Sequence, residues 1–227
     1  MNVRLAPEVT SDAERRCQAV RRGDLGPYGE LVRVNAQELV TTMFPRFTKH
    51  RGAERLRQDI DAFYKCFGAT RAEFIHLATE FVRFMQPRLP PGIGRPLIEY
   101  EWMLFDVEVD KAPVPYPDGQ EARRPTHVYL NPTVRWLATP FDLHMDDQHA
   151  AQALLNHDAP YAYAIFRTFD HRVMTQRLSN HDIAKLSSFT DGERLISPQE
   201  SAHWFTHALA HELITSHPNS KASPWLN

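Results

Sequence analysis

Tyr161-Ala-Tyr-Ala-Ile-Phe-Arg167, Thr168-Phe-Asp-His171 and Arg172-Val-Met-Thr-Gln-Arg-Leu178 follow one another in the C-terminal half of the chain. Two runs rich in β-branched and aromatic residues flank a short polar link, the pattern of a β-hairpin. The second run contains no proline, so each of its residues keeps a backbone donor. Upstream lie three shorter runs of similar character, His127-Val-Tyr-Leu130, Thr133-Val-Arg-Trp-Leu137 and Phe141-Asp-Leu143. Pro132 and Pro140 restrict these to edge or interrupted strands. Downstream, Asn180 can cap a helix to about Phe189. Ser197 before Pro198 opens a second, which the spacing carries to about Ser216 before Pro218 stops it.

Toward the N-terminus the period changes from two to 3.6. Ser11 with Glu14 has capping-box spacing and opens a short helix to Arg22. Tyr28 to Met43 carries Leu31, Val32, Ala36, Leu39 and Val40 on one face, with Pro27 suited to its first turn and Pro45 closing it. Gly52 to Phe67 carries Leu56, Ile60, Phe63 and Tyr64, followed by Gly68. Thr70 with Glu73 opens a helix to Met85, which the prolines 87, 90 and 91 end. A fifth runs from Leu97 to about Val109. The expected class is α+β: an N-terminal helical bundle (1–110), a linker rich in Pro, Gly and charge (111–125), then a small antiparallel sheet with C-terminal helices (126–227).

The 227 residues carry 26 Lys plus Arg against 28 Asp plus Glu, a formal charge of −2. That balance argues against a strongly basic nucleic-acid binder. Mean hydropathy is −0.47, and no run of about 18 apolar residues is present to span a bilayer. Cys17 and Cys66 form neither a disulfide framework nor a C-x-x-C pair, which suits reduced thiols in a cytoplasmic protein. The first 22 residues lack the apolar core of a signal peptide.

Chemistry is sparse. No nucleophile elbow, phosphate-binding loop or dinucleotide fingerprint follows any strand. His203, His207 and His211 recur every fourth residue, so His207 and His211 can reach one metal ion from one helix face. Ala208 stands where a zinc protease needs its glutamate, so a metal enzyme here needs Glu212 or acids of the stretch Asp142-Leu-His144-Met-Asp-Asp147-Gln-His149 to complete the shell. The bland alternatives are a solvated histidine face and a polar loop. Arg172, Val173, Met174, Thr175, Gln176 and Arg177 form an edge-strand candidate that can accept an extended peptide by main-chain hydrogen bonds.

The order of several strings resembles a known family. Leu39-Val-Thr-Thr-Met-Phe-Pro45 is followed by Glu99-Tyr-Glu-Trp102, Tyr129-Leu-Asn-Pro-Thr-Val-Arg-Trp-Leu137, Thr139-Pro-Phe-Asp-Leu143, Tyr163-Ala-Ile-Phe-Arg167 and His171-Arg-Val173. Together, over roughly residues 28–190, they resemble the partner proteins MbnC of methanobactin biosynthesis and its relative HvfC. The resemblance implies a non-catalytic subunit that pairs with an iron-dependent oxygenase of the MbnB or HvfB type. The pair binds the leader of a ribosomal precursor peptide and converts cysteines to oxazolone–thioamide groups. The iron then belongs to the partner, this chain holds no cofactor, and catalytic residues have no positions here. The C-terminal half is expected to take the leader as an added strand. Tyr129, Trp102 and Trp136 are the candidates for the oxygenase interface. Contact with a membrane is not expected. Two other readings are a free-standing metal enzyme at His207 and His211, and a DNA-binding regulator, a label given to some relatives.

Overall fold

The computed structural model describes residues 27–66, 74–116, 126–145, 149, 160–197 and 199–217. It is mixed α+β, and the chain divides between Trp102 and Met103 into two compact units. The expected helix at 11–22 and the caps at Gly68, Thr70 and Glu73 lie outside the described residues.

The first unit is helical. Helix α1 (Pro27–Met43) is followed by α2 (Pro45–Arg51), α3 (Ala53–Cys66), α4 (Phe74–Met85) and α5 (Gly94–Glu108), whose N-terminal turns belong to this unit. Pro45 ends α1, as its spacing requires, and also opens α2 from the first position, where its missing N–H costs nothing. Phe44 supplies no side-chain cap. The carboxylate of the buried Glu101 on α5 takes that place instead, accepting from Arg46 N (2.7 Å) and Phe47 N (3.0 Å). An anion at a helix N-terminus satisfies orphan donors and suits the helix dipole. Between α2 and α3, Gly52 adopts φ +79°, a conformation that costs glycine little.

The apolar faces read from the sequence meet around Phe63. Its ring lies edge-on to Phe81 (5.6 Å), Phe84 (5.4 Å) and Tyr64 (5.5 Å), and Phe44 approaches Phe81 at 6.3 Å. Leu56, Ile60, Leu97 and Ile98 are buried with them.

The second unit holds two three-stranded antiparallel sheets where the sequence suggested one. In the first, β1 (His127–Leu130) lies between β5 (Glu193–Leu195) and β6 (Ile214–Thr215). In the second, β2 (Arg135–Thr139), β3 (Tyr161–Arg167) and β4 (Val173–Leu178) follow in sequence order. Register pairs Trp136 with Ala164 and Ala164 with Gln176. The split reflects Pro132: the chain leaves β1 through a turn and enters β2 in another sheet. A shared core joins the two sheets. Val128 and Ile214 from one, with Ala164, Phe166 and Leu178 from the other, pack against Leu186, Trp204 and Phe205 of the C-terminal helices.

Phe141–Leu143, expected as a strand, is a turn. Asp142 folds it, its side chain accepting from His144 N (3.0 Å) and its carbonyl from Met145 N (3.1 Å). Aspartate readily closes such local bonds in place of a ladder.

Helix α6 (Asn180–Leu186) is capped by Ser179 rather than Asn180. Ser179 Oγ accepts from Asp182 N at 3.2 Å, and Asp182 Oδ2 accepts from Ser179 N at 2.8 Å, a full capping box. The other Asp182 oxygen accepts from Trp204 Nε1 (2.8 Å) on helix α7 (Ala202–Ala210). That last helix begins at its Ser201 cap and stops at Ala210, well short of the expected Ser216. The reason is a Schellman closure: Leu213 N donates to Ala208 O (3.0 Å) and Glu212 N to Leu209 O (3.0 Å). Glu212 takes the left-handed position, φ +57°, usually given to glycine. Leu213 then packs beside Ala208 in the core.

Glu200 ties the C-terminal elements together. Its carboxylate accepts from Lys185 Nζ (3.0 Å), Arg194 Nη2 (2.7 Å) and Ser197 N (3.2 Å). Chiefly through Lys185, then Arg194, its pKa falls from 4.5 to about 2 despite opposing desolvation. The folded-state value lies below the unfolded one, so the stabilisation is complete above about pH 4.5 and fades as pH falls toward 2. Glu200→Gln is expected to cost about 1–2 kcal/mol at pH 7. Thermal melts of both proteins from pH 7 to pH 3 should show the gap closing as acid is added. A gap that stays constant would refute the assignment.

Candidate functional site

The hairpin is positioned by β3, which is buried along most of its length. Thr168 N donates to Arg172 O at 2.8 Å, which sets the phase of the β3–β4 ladder. Antiparallel pairs alternate, so Met174, Gln176 and Leu178 turn their backbone groups toward β3. Val173, Thr175 and Arg177 turn theirs the other way. Among the described residues β4 has one strand neighbour, β3, and ends the sheet. Its side chains from Val173 to Gln176 are half-buried, while Arg177 is exposed. Arg172 lies in the turn just before β4, where it pairs with Asp170 (2.6 Å).

One face of this sheet, with Ala164, Phe166 and Leu178, packs into the shared core. The other carries Arg135, Tyr163, Arg167 and Arg177 beside the buried Leu137 and Ile165. Asp142 accepts from Tyr163 Oη (2.7 Å) and Arg177 Nη1 (2.8 Å), and Tyr163 Oη accepts from Leu143 N (2.9 Å). Burial pushes the Asp142 carboxyl up, but the His144 N–H, the Tyr163 hydroxyl and Arg177 outweigh it and hold it below the usual range. Burial and Asp142 push the Tyr163 hydroxyl well above its ordinary value. Arg177 also lies 4.4 Å over the Tyr161 ring. Farther along the face, Arg135 bridges Asp106 (2.9 Å) and Asp110 (2.8 Å). Buried Arg167 donates to the carbonyls of Asp110 and Ala112, both at 2.8 Å, and meets His171 Nδ1 at 2.6 Å. So Asp110, read as the end of the bundle, and Ala112, read as part of the linker, lie within hydrogen-bond reach of β3.

A residue absent from the sequence candidates organises the backbone at this same Arg167 end of β3. Asn131 is buried, 1% exposed. Its Nδ2 donates to Arg167 O (2.9 Å) and Glu212 O (2.8 Å), and its Oδ1 accepts from Thr133 N (2.9 Å) and Thr133 Oγ1 (2.7 Å). Thr133 Oγ1 in turn accepts from Arg167 N (2.9 Å). The local signal was present: asparagine before proline, with threonine two residues on, is a turn signature. The long-range partners leave no trace at that spacing.

The three aromatic candidates separate. Trp136, on β2 at the opposite end of the sheet order from β4, is 46% exposed. Tyr129 is half-buried on β1 and stacks on His127 at 5.0 Å. Trp102 is half-buried in the helical unit, its Nε1 donating to Thr79 Oγ1 at 3.1 Å. His207 and His211 lie side by side and exposed, ring centroids 4.3 Å apart. Neither proposed completing group joins them. The Glu212 carboxylate accepts from Phe169 N (2.6 Å) in the hairpin turn, and Asp142 is committed to Tyr163 and Arg177. Of the remaining acidic stretch, Asp146, Asp147 and Gln148 lie outside the described residues. Among the described residues no group of three or more His, Cys, Asp or Glu is arranged to hold a metal, and no helix is long and apolar enough to cross a membrane. In comparisons with known proteins, no family model matches the chain and no curated protein is significantly similar to it.

Proposed function

We propose that this chain is a non-catalytic partner subunit that presents a peptide to an iron-dependent oxygenase of the MbnB type, holding the precursor leader as an added strand along β4. The observation that carries the reading is the place of β4 at the end of the β2-β3-β4 sheet, phased so that Val173 and Arg177 direct their backbone groups away from β3. A strand added there gains main-chain hydrogen bonds, and side chains on alternate positions give selectivity. The order of the strings quoted above, which resembles that of the MbnC and HvfC proteins, supports the choice of partner. The exposed indole of Trp136 suits an interface anchor, since buried aromatic residues dominate such contacts. The chemistry of cysteine oxidation then resides in the oxygenase, and the location is the cytoplasm.

The test uses the full chain co-expressed with the MbnB-type oxygenase of the same genome and its precursor peptide. Co-purification of the two proteins and retention of the leader are expected. Val173→Pro removes one outward donor while leaving the β3–β4 ladder bonds in place, because that position lies in a non-bonded pair. It should weaken leader binding, read by fluorescence anisotropy, at least tenfold with the melting temperature little changed. Unaltered leader affinity in this variant would move the peptide away from β4. Failure to co-purify would remove the oxygenase as partner.

A further inference from the structure

We propose that the exposed C-terminal turn of α7 binds one divalent transition-metal ion through the imidazoles of His207 and His211. The two rings lie next to each other at a centroid distance of 4.3 Å, tilted by 44°. Among the described residues neither ring makes a hydrogen bond or ion pair, so their nitrogens are not committed elsewhere. Imidazole pairs four apart on a helix are the spacing from which borderline metals such as Ni(II), Cu(II) and Zn(II) take two ligands.

The backbone holds the pair in place. His211 is the residue after the last helical one, yet its N–H still donates to His207 O at 3.1 Å, preserving the helical spacing. The Schellman closure anchors the next residues: Leu213 is buried, and Ile214 pairs with Leu130. Such fixing lowers the ordering cost of chelation. The negative end of the helix dipole adds a favourable field for a cation. Within α7 there is no Lys or Arg to oppose one.

Two ligands leave the remaining coordination positions to water or to a donor from another molecule. His203 does not complete the set. It lies eight residues before His211, about 12 Å along a helix axis, too far for both to ligate one ion. Glu212 points its carboxylate at Phe169 N and stays out of the site. The surface is therefore a two-histidine binding site with open positions, independent of any cofactor of the oxygenase.

The probe is Ni(II) chloride, titrated by calorimetry into the full chain without an affinity tag at pH 7.5. One equivalent should bind. His207→Gln and His211→Gln should each weaken binding at least tenfold, while His203→Gln should change it less than twofold. All three side chains are exposed, so the variants should keep the wild-type thermal midpoint in the absence of metal. As a second readout, Ni(II) should raise the midpoint of the wild type and not that of the double variant, since a ligand selective for the native state stabilises it. Absent uptake, uptake indifferent to both substitutions, or equal dependence on His203 would each overturn the site.

Discussion

Asn131→Leu should destabilise the protein by roughly 3–5 kcal/mol, although the two side chains are close in volume. The substitution removes two donors and one acceptor from a site that is 1% exposed. It leaves the carbonyls of Arg167 and Glu212 without their Asn131 donor, and the N–H and hydroxyl of Thr133 without their acceptor. A buried polar group stranded in this way costs about 1–3 kcal/mol, and these groups share one network. The effect should be visible as a lowered urea midpoint with the slope unchanged. Asn131→Asp separates shape from donors: it keeps the acceptor for Thr133 but loses both N–H donors and buries a charge. It should be at least as damaging. Wild-type stability in either variant would show that the turn holds itself without Asn131.

Phe63→Ala should have a comparable effect in the helical unit, about 3–5 kcal/mol. Phe63 is 1% exposed and lies within 5.4–5.6 Å of three aromatic rings contributed by α3 and α4. Truncation loses the transfer energy of the ring and leaves a cavity that rigid aromatic neighbours fill poorly. The edge-on contacts add to the loss beyond buried area. Phe63→Leu should recover about half of it. Circular dichroism at 222 nm against urea measures both variants. Equal midpoints for the wild type and Phe63→Ala would show that the ring is not central to this core.

Amphipathic helices were the most legible part of the sequence. Val40, Leu56, Ile60, Phe63, Phe81 and Phe84 are buried on the faces that a 3.6-residue period assigns. The hairpin was legible for the same kind of reason, since strand composition and a polar turn are both local. Helix ends were less so. Ser179 caps α6 one residue before the expected Asn180, and α7 stops at Ala210 because Glu212 accepts a left-handed conformation without glycine to announce it.

Local pattern was enough for the α+β class, the amphipathic helices, the 161–178 hairpin and the adjacency of His207 and His211 on one turn. All of these rest on periodicity, composition and short spacing. Tertiary structure alone decided the division of the strands into two sheets and the terminal place of β4. It also decided the roles of Glu101, Asn131, Arg167 and Glu200. Their partners lie up to 81 residues away, as Asn131 Nδ2 and Glu212 O do. A hydrogen bond across that distance depends on where the chain folds back, which no local pattern encodes. The same holds for the metal alternative: Glu212 follows His211 in sequence, but its positive φ turns the carboxylate to the hairpin instead.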